Sequence, residues 1–130
     1  MTRFVGIVLV SHSAELAAGL RELLLQVGGE SLTIEVAGGT DEGGIGTSYD
    51  LVRAAIEKAD AGAGVLLFPD LGSSVLTARA VLDDQPASDV LIVDAPFVEG
   101  AMAAAVLAAT GADLATALAA AEEARDVRKL

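Results

Sequence analysis

Few residues in this chain have chemical reach. His12 is the only histidine and there is no cysteine. A single imidazole is therefore the one nitrogen group able to attack or to exchange a proton near neutral pH. It stands in Ser11-His12-Ser13, directly after the apolar run Phe4-Val-Gly-Ile-Val-Leu-Val10. Two further stretches carry polar or glycine residues in the same setting. One is Ala37-Gly-Gly39-Thr40-Asp-Glu-Gly-Gly-Ile-Gly46-Thr47-Ser48, and the other is Pro69-Asp70-Leu-Gly72-Ser73-Ser74. Beside turns that bind anions through backbone N–H groups, an imidazole suits phosphoryl chemistry: the ring attacks phosphorus. A carboxylate on its far nitrogen would fix the tautomer and balance the charge. Asp70 is the first candidate for that carboxylate, ahead of Asp94 and Asp41. Each residue also has a plainer role open to it. His12 could be a loop or cap residue, Asp70 and Asp94 helix caps (the favoured reading for Asp94), and the glycine stretch a simple connection.

The elements around these residues must present all three stretches on one side. Phe4–Val10 has no polar alternation and reads as a fully buried strand. Ser11 or Ser13 caps a helix to about Val27, with Leu16, Leu20, Leu23, Leu24 and Val27 as its apolar stripe. Ser31–Val36 alternates and reads as a strand nearer an edge. The five glycines of Ala37–Ser48 rule out a regular element there. Thr47 or Ser48 caps a helix to about Ala59, with Leu51, Val52, Ala55 and Ile56 inward. Val65–Phe68 is a third strand, and Ser73 or Ser74 caps a helix to about Leu82. Val90–Asp94 is a fourth strand. An alanine-rich helix follows and breaks near Gly111, before a last helix from about Asp113 to Arg128. Its small residues suit a close helix contact, across a dimer among other places.

Four strand–helix alternations imply right-handed crossovers, hence an open, mainly parallel four-stranded α/β sheet with helices on both faces, flavodoxin-like. In such folds ligands bind beyond the carboxyl ends of the strands, which is where Ser11–Ser13, Gly38–Ser48 and Asp70–Ser74 all fall. Helix N-termini and glycine-exposed amides attract anions there without Lys or Arg. Neither a Walker A sequence nor G-x-G-x-x-G is present, so a conventional nucleotide site is not expected.

Composition narrows the partners. The chain has 130 residues, one domain's worth, and a net charge of −11 from 19 acidic and 8 basic residues. That balance argues against nucleic acid and against an anionic membrane surface. The apolar runs are interrupted before membrane-spanning length. We expect a soluble cytoplasmic domain over residues 1–130, with no metal and no cofactor.

Taken together and in order, four segments resemble a known family. They are Gly6-Ile-Val-Leu-Val-Ser-His-Ser13, Ala37-Gly-Gly-Thr-Asp41 with Gly44-Ile-Gly-Thr-Ser48, Asp70-Leu-Gly-Ser-Ser74 and Ala95-Pro-Phe-Val-Glu-Gly-Ala101. The family is the DhaM subunits of phosphotransferase-system-dependent dihydroxyacetone kinase, whose first domain is similar to mannose-type EIIA domains. Each segment alone is weak evidence. The resemblance spans nearly the whole chain, and the chain looks like the family's single-domain form. It implies a phosphohistidine relay: phospho-HPr donates to His12, and phospho-His12 rephosphorylates ADP held by DhaL, which acts with DhaK on dihydroxyacetone. It also implies Asp70 as the histidine's partner, with Gly46, Thr47, Ser48 and Ser73 lining the same rim, and a homodimer. Mannose-type domains exchange a further strand across their dimer, and no fifth strand is evident in this sequence. Two other readings stay open: a sugar-specific EIIA domain that donates to an EIIB protein, and a non-catalytic anion-binding module.

Overall fold

The structure is a computed structural model describing residues 3–29 and 31–130. Strands β1 (Gly6–Ser11), β2 (Ile34–Gly38), β3 (Val65–Pro69) and β4 (Val90–Ile92) form one sheet in the order β2-β1-β3-β4, and every pairing is parallel. Helices α1 (Ala14–Gly28), α2 (Tyr49–Ala59), α3 (Gly72–Asp84), α4 (Phe97–Ala109) and α5 (Leu114–Glu123) connect and cover the strands. The alternation in the sequence thus yields the expected parallel α/β fold, with β2 at an edge as its alternating pattern indicates.

Alternate residues of the central strands feed two cores. Val5, Ile7 and Leu9, with Leu66 and Phe68, face α1, α4 and α5; Val8 and Val10, with Val65 and Leu67, face α2 and α3. Both faces of β1 and β3 are therefore apolar, which explains their unbroken hydrophobic runs. Helix α1 lies on one face and α2 on the other, with β1 between β2 and β3. The crossovers diverge on either side of β1, and this puts the fold's switch point between β1 and β3. Register then sets the detail. Val10 lies opposite Pro69 and Ser11 opposite Gly38, so the chain leaves the three strands at one level.

Several local expectations shift. Strand β2 starts at Ile34 and runs on through Gly38, where the sequence suggested loop. A side chain at Gly38 would meet Ala14 Cα at 2.7 Å, so only glycine lets this strand end lie beneath α1. The buried face of α1 is Ala17, Leu20 and Leu24. Leu16, Leu23 and Val27, read as part of its inward stripe, are exposed. The leucines cover a wider arc than the sheet can bury, and a small alanine takes the position closest to it. The caps of α1 and α2 are Ser13 and Ser48, each hydroxyl accepting the N–H three residues on, rather than Ser11 and Thr47. Helix α3 begins earlier than expected, with Leu71 at its cap position and Ser73 and Ser74 inside its first turn. Strand β4 stops at Ile92, and α5 ends at Glu123 with a short 3-10 turn over Ala124–Asp126. The alanine-rich C-terminal helices serve as packing surface within the chain. Ala101, Ala104, Ala105, Ala108, Ala117 and Ala121 are fully buried where α4 and α5 close over the sheet.

Candidate functional site

His12 follows β1 directly and Asp70 follows β3 directly, and the pairing of these strands brings the two side by side. The Asp70 N–H donates to the Val10 carbonyl at 2.9 Å, which ties the end of β3 to β1. The imidazole Nδ1 lies 2.9 Å from Asp70 Oδ1. The ring keeps 20% of its surface exposed, whereas the carboxylate keeps 8%.

Asp70 is held from many sides. Its Oδ2 accepts the Ser11 hydroxyl at 2.9 Å and the His12 backbone N–H at 3.0 Å. Its Oδ1 accepts the Ser74 hydroxyl at 2.5 Å and the Leu71 N–H at 2.7 Å. Ser11 in turn accepts the Ser13 N–H at 3.0 Å. Burial by itself drives this carboxyl upward. The bonds from the Ser74 hydroxyl, the His12 backbone, the His12 ring and the Ser11 hydroxyl outweigh it and hold the group at about 2, below its ordinary 3.8. A carboxylate so fixed accepts hydrogen bonds only. Nδ1 must therefore carry the proton that meets it, with the Ser74 oxygen 3.2 Å away as a second acceptor. The Nε2 lone pair is thereby directed outward, where the Ser73 hydroxyl donates to it.

The glycine-rich loop packs against the same histidine from the β2 side. The Gly46 N–H donates to the His12 carbonyl at 2.9 Å, and the Gly39 N–H donates to the Ser11 carbonyl at 3.0 Å. Thr40 closes the loop on itself: its N–H donates to the Gly44 carbonyl, and its hydroxyl accepts the Gly44 N–H at 2.9 Å. These amides are committed to shaping the loop. The Gly72 and Ser73 N–H groups, in the first turn of α3, have no acceptor within the helix and stay available to an anion.

The structure thus gathers Ser11, His12, Asp70 and Ser73 into one hydrogen-bonded group, with Gly39, Gly46 and Gly72 beside it. Ser13, Thr40, Thr47 and Ser48 act at one remove. Ser13 and Ser48 cap helices, Ser48 also donates to Asp41, and Thr47 bonds the Thr77 hydroxyl at 2.7 Å to brace the loop on α3. Asp94 does not cap α4, whose cap position is Pro96; it pairs with Arg125 at 2.9 Å. Ser74, which by sequence is as good a helix cap as Ser73, does not cap α3. It is fully buried and touches both members of the pair. Its spacing of four from Asp70, across a helix start, is the signal that could have singled it out. Among the described residues, no three His, Cys, Asp or Glu side chains cluster as a metal site.

Comparison with known proteins agrees with this architecture. The family model described as "PTS system fructose IIA component" (EIIA-man) matches residues 6–118. A phosphoryl donor subunit DhaM of a PEP-dependent dihydroxyacetone kinase from Listeria innocua is 37% identical over 105 residues, covering 78% of this chain and 84% of that protein. The phosphotransferase subunit DhaM from Lactococcus lactis is 39% identical over 107 residues, covering 82% and 85%. The Escherichia coli DhaM is 40% identical over 116 residues, but the chain spans only 25% of its length. Among solved structures, the crystal structure of unknown function protein EF1359 superposes with a TM-score of 0.84 at 36% identity, over 93% of this chain and 95% of that one. With an EIIA-man match across most of its length and DhaM proteins aligned with it over about four fifths of both chains, this chain belongs to the EIIA-man family, within its DhaM branch.

Proposed function

We propose that the chain is a phosphohistidine relay, the phosphoryl-donor subunit of a dihydroxyacetone kinase complex. It accepts a phosphoryl group from phospho-HPr on Nε2 of His12 and passes it to ADP held by DhaL, which works with DhaK. The observation that carries this reading is the Asp70–Nδ1 bond, which leaves Nε2 as the outward nucleophile. In the uptake step the Nε2 lone pair attacks phosphorus in line, and the donor's nitrogen departs with the electrons of its bond. The Nδ1 proton stays between the ring and Asp70, whose charge balances the positive ring. The Ser73 hydroxyl turns from Nε2 to a phosphoryl oxygen, joined by the Gly72 and Ser73 amides. No Lys or Arg contacts the ring among the described residues. The group is gripped by amides and hydroxyls alone, firmly enough to form and loosely enough to leave.

The DhaM names of the most similar curated proteins favour this acceptor over a sugar-permease EIIB protein. No helix among the described residues is long and apolar enough to cross a membrane. A homodimer belongs to the proposal as well, supported by the exposed Leu16, Leu23 and Val27 on one side of α1. Leu23→Glu should then shift sedimentation toward monomer, and an unchanged profile would remove that face from the contact. The relay itself is tested by labelling. Incubation with phosphoenolpyruvate, enzyme I and HPr should place acid-labile phosphate on the wild-type chain and none on His12→Ala, with circular dichroism unchanged. Label on the mutant would refute the assignment.

A further inference from the structure

Ser11 and Ser74 are the fully buried polar side chains among the described residues. Each gives its hydroxyl to a different oxygen of Asp70: Ser11 donates to Oδ2 at 2.9 Å and Ser74 to Oδ1 at 2.5 Å. Oδ1 is also the oxygen that meets the imidazole Nδ1, and the Ser74 oxygen lies 3.2 Å from that same nitrogen. Packing does not call for a hydroxyl here. The buried face of α3 is Ser74, Ala78 and Val81, a series that alanine would fit, and Ser74 takes no part in capping the helix. A buried hydroxyl costs stability unless it is bonded. Among the described residues, this one is bonded to the His12–Asp70 pair alone.

Resting on the relay reading above, we infer that Ser74 is a positioning residue for phosphoryl uptake: its hydroxyl ties Oδ1 and Nδ1 together and so fixes the angle at which Nε2 meets the incoming phosphorus. The hydroxyl has one proton and two neighbours within reach. Asp70 is ionised and only accepts, so that proton points to Oδ1. The oxygen's lone pairs then face Nδ1, whose own proton is shared between Oδ1 and Ser74. A ring held by Oδ1 alone swings about a single bond. With the second acceptor in place, tilting the ring costs one of the two contacts. Small tilts matter, because the Nε2 lone pair must attack in line with the bond that breaks. Ser74 meets the ring at Nδ1, on the side away from Nε2, and bears on the phosphoryl group only through the imidazole.

The test uses the full chain. Ser74→Ala removes one oxygen and leaves the buried helix face apolar. In single-turnover labelling from phospho-HPr it should lose about tenfold in rate at saturating donor. Its KM for the donor and its circular dichroism should match the wild type. Ser74→Thr keeps the hydroxyl and should regain most of the loss. The unphosphorylated chain gives a second reading. His12 is the only histidine, so the nitrogen NMR signals of its ring are unambiguous. Nδ1 should carry the proton in the wild type, and its signal should move in Ser74→Ala, where that proton is left with one acceptor. A full uptake rate in Ser74→Ala, a loss confined to KM, or an Nδ1 signal that does not move would overturn the inference and leave the relay standing. A wild-type chain that takes no label on His12 would bring down both.

Discussion

At the scale of single residues, the site depends on one carboxylate having more donors than an exposed aspartate could gather. Ser11, Ser74, the His12 backbone and the ring converge on Asp70, and the carboxylate sets which imidazole nitrogen is free. Asp70→Asn keeps the shape but offers an amide whose N–H can face Nδ1, which favours the wrong tautomer. Uptake from phospho-HPr should fall on the order of 100-fold or more, measured as a single-turnover labelling rate. The pH dependence follows from the same group. Its carboxyl is depressed in the folded protein to about 2 from 3.8. Its contribution to stability is thus present above the higher value and lost as pH falls toward the lower one. Denaturant midpoints should drop for the wild type over that window, and Asp70→Asn should flatten part of the drop. An identical acid profile in the mutant would mean the carboxylate is not coupled to folding.

Elements supply the frame. The loop between β2 and α2 has no helix or strand of its own, yet it reaches the site through two donors, the Gly39 N–H to the Ser11 carbonyl and the Gly46 N–H to the His12 carbonyl. Gly46 sits at φ 145, and a Cβ there would meet Thr40 Cγ2 at 2.8 Å. Gly46→Ala should therefore move the loop off the histidine backbone. We expect a loss of about 1–2 kcal/mol in stability and a larger proportional loss in labelling rate. A mutant that labels at the wild-type rate would show that the loop is only a connection. The start of α3 matters differently. Because Leu71 takes the cap position without a side-chain bond, Ser73 and Ser74 are free from capping. One faces Nε2 and the other holds Asp70.

For the molecule as a whole, the largest feature is charge. A net −11 on 130 residues makes encounter with an acidic partner slow and with a basic-faced one fast. The second-order rate of uptake from phospho-HPr should decline several-fold as salt rises from about 0.05 M to 0.5 M, because exposed charges are screened over that range. The transfer chemistry within the complex should change little. A salt-independent encounter rate would place the docking energy in apolar contacts instead. Packing is the other global property. Alanines on α4 and α5 let both helices lie close to the β1–β3 sheet without large side chains, while Leu16, Leu23 and Val27 of α1 are among the large apolar side chains that stay exposed.

Much of this was open to reading in the chain itself. Unbroken apolar runs on Phe4–Val10 and Val65–Phe68, alternating with helical periods, indicate a parallel sheet buried on both faces. A lone histidine at the end of the first run, with Asp70 at the end of another, marks the candidate pair. Those signals are local, and each depends only on a residue's near neighbours. The tertiary structure alone decided that β1 lies between β2 and β3 with Val10 opposite Pro69, since strand order and register arise from pairings between distant segments. From that pairing come the contact of His12 with Asp70, the burial of Ser74 between them, the use of glycine amides to hold the loop, and the pairing of Asp94 with Arg125. Hydrogen-bond partners 59 or 62 positions apart leave no trace in a local pattern. They exist only once the sheet has assembled.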